Sequence, residues 1–185
     1  MLAAIATKGN ILIKNCVPEH LDSLTSKIIE IGGLVEYNND TIKVSCNKRP
    51  IKTVINTLPY PGFPTDLQAP MGSVLALAEG TSIINETIWE SRFQYTAELN
   101  KMGAKIIAQG KSAIFEGVPK LYGSPVHATD LRAGAALIIA GLAADGTTEV
   151  YNLHYIDRGY ENIENKFCQL GANIKRIQAK DEYKC

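Results

Sequence analysis

Glu79-Gly80-Thr81-Ser82-Ile83-Ile84, leading through Phe93 and Leu99 to Met102-Gly103-Ala104-Lys105-Ile106, is the stretch on which the fold turns. A glycine opens a short β-prone run, apolar residues at helical spacing follow, and a second glycine leads into another β-prone run. That order reads as strand, helix, glycine cap and strand. It recurs on both sides. Upstream, Lys8-Gly9-Asn10-Ile11-Leu12-Ile13 runs through Leu21, Leu24, Ile28 and Ile31 to Gly32-Gly33-Leu34-Val35-Glu36. Downstream, Asp145-Gly146-Thr147-Thr148-Glu149-Val150 runs through Tyr160, Ile163 and Phe167 to Leu170-Gly171-Ala172-Asn173-Ile174. Leu21, Leu24, Ile28 and Ile31 fall on one helical face, as do Tyr160, Ile163, Phe167 and Leu170, so each predicted helix has one side to bury against a sheet. After the first two copies, Asn38-Asn39-Asp40 and Gln109-Gly110 supply turn chemistry for a further strand.

A second repeated element stands before the glycine of two copies: Pro64-Thr65-Asp66-Leu67-Gln68 ahead of Val74 to Ala78, and Ala128-Thr129-Asp130-Leu131-Arg132 ahead of Leu137 to Ala144. Each reads as a Thr-Asp helix start feeding an Ala- and Leu-rich helix that stops at a glycine. The first copy has only the tail of such a helix, Leu2-Ala3-Ala4-Ile5-Ala6-Thr7-Lys8-Gly9. The first unit is therefore expected to be truncated at the amino terminus, and the chain to be a fragment of a longer protein. Three units of this kind predict an α/β architecture with pseudo-threefold symmetry, the apolar helices meeting at a common centre and the sheets outside them.

The 185 residues, 45% hydrophobic and 21% charged, can bury a core in one domain or two small ones. Nineteen basic and nineteen acidic side chains cancel, and no run of Lys and Arg forms a stripe along a phosphate backbone, which argues against a nucleic-acid partner. The apolar stretch Ala133 to Ala144 is shorter than the roughly 20 residues a bilayer span needs and is interrupted by Gly134 and Gly141. Met1-Leu2-Ala3-Ala4-Ile5 has no basic region before it and meets Lys8 too soon for a signal peptide. A soluble, cytoplasmic protein with no membrane partner is expected. Cys16, Cys46, Cys168 and Cys185, with His20, His127 and His154, show neither metal-ligand spacing nor a small disulfide framework, so reduced thiols and no metal site are expected. No Gly-x-Gly-x-x-Gly, Walker loop, His-Glu-x-x-His or Gly-x-Ser-x-Gly element occurs, which leaves redox, NTPase, zinc-protease and serine-hydrolase chemistry without a basis.

Asp66 follows Tyr60-Pro61-Gly62-Phe63-Pro64-Thr65, too rich in Pro and Gly for a helix or central strand, so it lies at a loop-to-helix junction. Helix capping is the plain role open to it and to Asp130. Arg132, one turn into its predicted helix, and Arg158, in Tyr155-Ile156-Asp157-Arg158-Gly159-Tyr160, are permanently charged fork donors suited to carboxylates and phosphates. Solvated surface arginine is their plain alternative. Against it stand Gly159, which allows close backbone approach beside Arg158, and the repeat equivalence of the Asp130 and Arg132 region to Asp66. Glu90-Ser91-Arg92, ahead of a predicted helix, reads on its own as a charged first turn.

In Pro61-Gly62-Phe63-Pro64-Thr65-Asp66-Leu67-Gln68-Ala69, Trp89-Glu90-Ser91-Arg92-Phe93, Ala128-Thr129-Asp130-Leu131-Arg132-Ala133 and Ile156-Asp157-Arg158-Gly159-Tyr160-Glu161, the chain resembles the enolpyruvyl transferase family. The likeness is to the branch that takes UDP-N-acetylglucosamine as acceptor, and the looser repeat pattern extends it to nearly the whole chain. Members of that family have two similar domains, each an inside-out α/β barrel of three repeated βαβ-type units, which close on substrate between them. The resemblance implies that residues 1–185 form the second such domain, without the amino-terminal strand segment that family members contribute to it. The implied reaction transfers enolpyruvyl from phosphoenolpyruvate to the 3-hydroxyl of UDP-N-acetylglucosamine and releases phosphate, with no cofactor, as the first committed step of bacterial peptidoglycan synthesis.

By the same resemblance, Asp66 takes the proton of the sugar hydroxyl as it attacks C2 of phosphoenolpyruvate. Ile88 touches the nucleotide-sugar mainly through its backbone. Arg132 and Arg158 bind the carboxylate and phosphate side of phosphoenolpyruvate and stabilise the tetrahedral intermediate. Asp130 positions a lysine of the missing first domain, and Glu90 and Arg92 line the closing cleft. The family's reactive cysteine, on a first-domain loop, has no counterpart among the four cysteines, and the first-domain lysine and arginine that hold phosphate are absent too. An isolated chain is thus expected to be inactive. Two other readings stay open: half of an enolpyruvylshikimate-phosphate synthase, or a non-catalytic binding domain. The latter includes an RNA-binding module resembling the carboxy-terminal domain of bacterial initiation factor three, which zero net charge disfavours.

Overall fold

The computed structural model describes residues 1–177. In chain order its elements are α1 (Leu2–Ala6), β1 (Asn10–Ile13), α2 (Asp22–Glu30), β2 (Leu34–Asn38), β3 (Thr41–Ser45), β4 (Val54–Asn56), α3 (Gln68–Leu75), β5 (Thr81–Asn85), α4 (Tyr95–Lys101), β6 (Lys105–Gln109), β7 (Ser112–Glu116), β8 (Pro125–His127), α5 (Leu131–Ala143), β9 (Glu149–Tyr151), α6 (His154–Asp157) and α7 (Ile163–Gln169). Single turns of 3-10 helix, Pro18–Leu21 and Thr65–Leu67, lead into α2 and α3.

Three helices stop in the same way. Gly32, Gly103 and Gly171 come after α2, α4 and α7 with φ near +90°, the left-handed region that a residue without Cβ enters freely. In each case the next amide reaches back five residues: Gly33 N–H to the Ile28 carbonyl at 2.8 Å, Ala104 to Leu99 at 3.1 Å, and Ala172 to Phe167 at 3.0 Å. These bonds satisfy last-turn carbonyls and redirect the chain out of the helix. The glycine caps expected from sequence are present.

The sheets lie in three groups. β1, β3 and β2 are antiparallel, with Val44 opposite both Ile11 and Val35. β4, β5, β7 and β6 form the largest group, in which β4 runs parallel to β5 and the other pairs are antiparallel. β8 and β9 form a parallel pair, with Val126 opposite Val150. The apolar helices α1, α3 and α5 pack on one another. Every residue of α3 is buried, as its sequence requires: no charged side chain lies between Leu67 and Ala78, so the helix has no face to give to water. Burying a side chain such as Met71 or Leu75 contributes about 1.5–3 kcal/mol. Ser73 offers α3's polar tie, its hydroxyl donating to the Ala136 carbonyl of α5 at 2.7 Å.

The third repeat departs from expectation. Ala172-Asn173-Ile174 forms no strand, although its counterparts β2 and β6 do. Those strands pair with β3 and β7 across tight turns, and among the described residues no segment beyond Ile174 offers the same ladder; an extended segment without a hydrogen-bonded neighbour is not a strand. Helix α7 also begins only at Ile163, after Asn162 at φ +47°. Tyr160 therefore lies outside the helix whose face it was expected to share, and Leu170 is 63% exposed rather than buried. Cys16, Cys46 and Cys168 are free thiols, and Cys185 lies outside the described residues. No described helix is long and apolar enough to cross a membrane.

Candidate active site

The two Thr-Asp segments meet, but they do different work. Asp130 is the N-cap of α5: one carboxylate oxygen accepts from the amides of Arg132 at 2.8 Å and Ala133 at 3.1 Å, satisfying donors that the first turn leaves free. Asp66 caps nothing. It sits in the middle of the 3-10 turn Thr65–Leu67, and α3 begins two residues later without a side-chain cap. Its carboxylate points to α5 instead, where Arg132 brings both Nε and Nη2 to within 2.5 Å of the same oxygen, Oδ1. With side chains 66% and 31% exposed, Asp66 and Arg132 form a solvent-facing ion pair at the seam between the two central helices.

Arg158 is exposed at the end of α6, and it is the residues flanking it that pack against α5. Ile156, fully buried on α6, lies against Gly134 of α5, where a Cβ would come within 2.3 Å of Ile156 Cγ1. Gly159 also lies close to the first residue of α5, a Cβ there meeting Leu131 Cδ2 at 2.9 Å. The close approach that Gly159 was expected to permit is thus between α6 and the start of α5. Tyr160, next along the chain, is close enough to the ion pair to sense it: burial raises its phenol pKa, the Asp66 charge raises it further, and Arg132 opposes both. Behind this corner Arg176 holds Asp157 with two bonds, 2.7 and 3.0 Å, and Glu164 at 3.0 and 3.3 Å. The guanidinium keeps both carboxyls below the usual carboxylate range.

Ile88, Glu90 and Arg92 occupy the loop between β5 and α4, not the first turn of a helix, since α4 starts at Tyr95. Arg92 lies over the Trp89 ring at 5.3 Å, and Glu90 reaches Lys111 at 3.9 Å. The Ile88 amide is already engaged with Glu86 at 3.0 Å, leaving its carbonyl as the backbone group available to a ligand. Sequence reasoning missed Glu86 and the proximity of Tyr160 to the ion pair. A signal for the first was present: Ser82, Ile84 and Glu86 alternate along β5 and its end, all facing inward. The described residues include no cluster of His, Cys, Asp and Glu able to hold a metal ion.

Residues 1–167 match the family described as EPSP synthase (3-phosphoshikimate 1-carboxyvinyltransferase). The chain is 55% identical over 179 residues to UDP-N-acetylglucosamine 1-carboxyvinyltransferase 3 of Caldanaerobacter subterraneus subsp. tengcongensis, covering 96% of this chain and 43% of that protein. It is 54% identical to the UDP-N-acetylglucosamine 1-carboxyvinyltransferase of Clostridium botulinum, with 96% and 42% covered. The chain thus spans less than half the length of these relatives. Among solved structures it is similar to the enolpyruvyl transferase NikO from Streptomyces tendae, with a TM-score of 0.84 at 25% identity, covering 97% of this chain and 44% of that one. EPSP synthase from Acinetobacter baumannii shares the fold, with a TM-score of 0.73 at 16% identity over 97% of this chain and 45% of that one. The match over residues 1–167, the solved folds and the four motifs agree, and the chain belongs to the EPSP synthase family of enolpyruvyl transferases.

Proposed function

We propose that residues 1–185 are one domain of a two-domain enzyme that transfers enolpyruvyl from phosphoenolpyruvate to the 3-hydroxyl of UDP-N-acetylglucosamine, the first committed step of peptidoglycan synthesis in the bacterial cytoplasm. The observation that carries this reading is the convergence of Asp66 and Arg132 from different repeats, 2.5 Å apart at the seam of α3 and α5. A carboxylate base beside a guanidinium fork is what addition of a hydroxyl to an enol phosphate acid requires. Asp66 takes the hydroxyl proton as the sugar oxygen bonds to C2, while the C2–C3 π pair takes a proton at C3 from an acid of the other domain; C3 gives up a proton again when phosphate leaves, which restores the double bond. Arg132, with Arg158 from the adjoining turn, neutralises the carboxylate and phosphate of the tetrahedral intermediate before phosphate leaves. Both Arg132 nitrogens engage one oxygen of Asp66, so an arriving substrate carboxylate competes for the fork and frees the base.

In the same reading the three sheet groups with α1, α3 and α5 form an inside-out barrel of three βαβ-type units, the first incomplete. Support comes from the three identical glycine caps and from the central helices. A groove of about 900 Å³ is lined by Leu2 and Ile11 of the first unit and by Ile139, Leu142 and Phe167 of the third, among others. The other domain supplies the reactive cysteine and the lysine that Asp130 positions. Ile88, through its carbonyl, and Glu90 and Arg92 line the acceptor side.

A chimera in which this chain replaces the matching portion of the Clostridium botulinum relative tests the proposal. Phosphate release from phosphoenolpyruvate is expected with UDP-N-acetylglucosamine and not with shikimate 3-phosphate. Release with shikimate 3-phosphate alone would give the acceptor assignment to the other branch, and no release with either from a folded chimera would remove the proposal.

A further inference from the structure

We infer that Glu86 is a positioning residue, whose buried carboxylate fastens the loop carrying Asp66 to the loop carrying Ile88, Glu90 and Arg92 and so sets the base against the acceptor-binding wall. What the clamp serves rests on the transferase reading; the clamp itself rests on geometry. Glu86 is 1% exposed at the end of β5. Its Oε1 accepts from Thr57 Oγ1 at 2.7 Å and from the amides of Ile88 at 3.0 Å and Trp89 at 3.2 Å, while Oε2 accepts from Thr65 Oγ1 at 2.8 Å. Thr65 immediately precedes Asp66. Thr57 opens the loop that ends there, and Ile88 and Trp89 open the other loop.

All four donors are neutral hydroxyl or amide groups, and together they replace the water that a buried carboxylate gives up. An apolar residue would fill the same space without that cost, because buried charge is weak evidence for stability. The arrangement instead suits a part whose task is to hold two loops in register. The second loop needs such a restraint: Ser91 stands at φ +56°, a left-handed conformation that a residue with a Cβ adopts only when its surroundings impose it. Burial, followed by the Glu86 charge, drives the phenol pKa of Tyr95 far upward.

The test combines hydrogen exchange of this chain with steady-state kinetics of the chimera. In Glu86→Ala, exchange at the Ile88 and Trp89 amides and at Leu67 in the Asp66 turn is expected to rise together by at least about tenfold, with Ile84 in β5 unchanged. In the chimera kcat is expected to fall roughly 10- to 100-fold, the scale of a small displacement of a catalytic group, with KM for both substrates within about threefold. Glu86→Gln should recover kcat to within about threefold, because its carbonyl serves three of the donors and its amide can donate to the Thr65 hydroxyl. Thr65→Val, which cuts only the link to the Asp66 turn, should lower kcat while leaving Ile88 and Trp89 protected, and it carries the test if Glu86→Ala does not fold. Unchanged kcat in Thr65→Val, or a joint loss of kcat, KM and melting temperature that Gln does not repair, would overturn the inference. If the wild-type chimera is silent, the transferase reading fails separately, and exchange alone decides: coupled loosening of both loops supports the clamp, and loosening of one overturns it.

Discussion

Gly134→Ala is expected to destabilise the chain even though glycine is the poorer helix former. Moving glycine to alanine inside a helix contributes about 0.5–1 kcal/mol in favour of folding. Here the new Cβ would lie 2.3 Å from Ile156 Cγ1 and 2.9 Å from Cδ1, against an ordinary carbon contact of roughly 3.5–4.0 Å. Ile156 is fully buried and cannot swing into solvent, so α6 must move off α5. Overpacking of this kind costs about 1–3 kcal/mol, leaving a net loss of about 1 kcal/mol at the middle of these ranges and a melting temperature lower by about 2–4 °C per kcal/mol. Ile156→Ala alone should cost about 2–5 kcal/mol. The double variant should be more stable than the sum predicts by at least about 1 kcal/mol, because the alanine methyl fills part of the space that the isoleucine leaves. Urea unfolding of the four proteins measures the cycle. A Gly134→Ala protein as stable as wild type, or strict additivity, would refute the contact that seats α6, and Tyr160 after it, against α5.

Asp130→Ala should lower stability by about 0.5–2 kcal/mol while Asp130→Asn is near neutral, since only the cap bonds to Arg132 and Ala133 are at stake; thermal melting separates the two. Arg176 depresses the pKa of both Asp157 and Glu164 in the folded chain. Their contribution to stability is therefore present above the ordinary carboxylate range, near pH 4, and is lost as pH falls through the lower folded values. The melting gap between wild type and Arg176→Ala should be open at pH 7 and close as the pH falls below the ordinary carboxylate range; a gap independent of pH would contradict the pairing. Arg158→Lys in the chimera should lose at least about tenfold in turnover, because an ammonium cannot reproduce a guanidinium fork on a carboxylate, and activity within about threefold would return Arg158 to a surface charge.

The parts of the molecule legible in the sequence are those that local chemistry decides. Asp130 ahead of an apolar run caps α5, and Gly32, Gly103 and Gly171 end their helices as their spacing indicated. Asp66 sits in the same wording as Asp130 but does not cap, because a 3-10 turn intervenes between it and α3 and turns its carboxylate toward another repeat. The missing strand after Gly171 shows the other limit: strand propensity is local, but a strand exists only with a neighbour. Glu86 was overlooked because a charged residue at a strand end reads as solvated, and its four donors come from loops that sequence alone does not bring together.

The most direct test of the central claim is Asp66→Asn in the chimera, measured as phosphate release with thermal melting of the same preparation. Asp66 caps no helix, and its ion pair with Arg132 is solvent-facing, so loss of the charge should cost no more than about 1 kcal/mol of stability. Asparagine can still accept from Arg132 and from the acceptor hydroxyl, so nucleotide-sugar binding should persist. Turnover should fall by roughly 10²- to 10⁴-fold, the scale of general-base catalysis, because an amide cannot take the proton. Turnover within about threefold of wild type in a folded Asp66→Asn protein would contradict the account, since it would leave the convergence of Asp66 and Arg132 without a catalytic purpose.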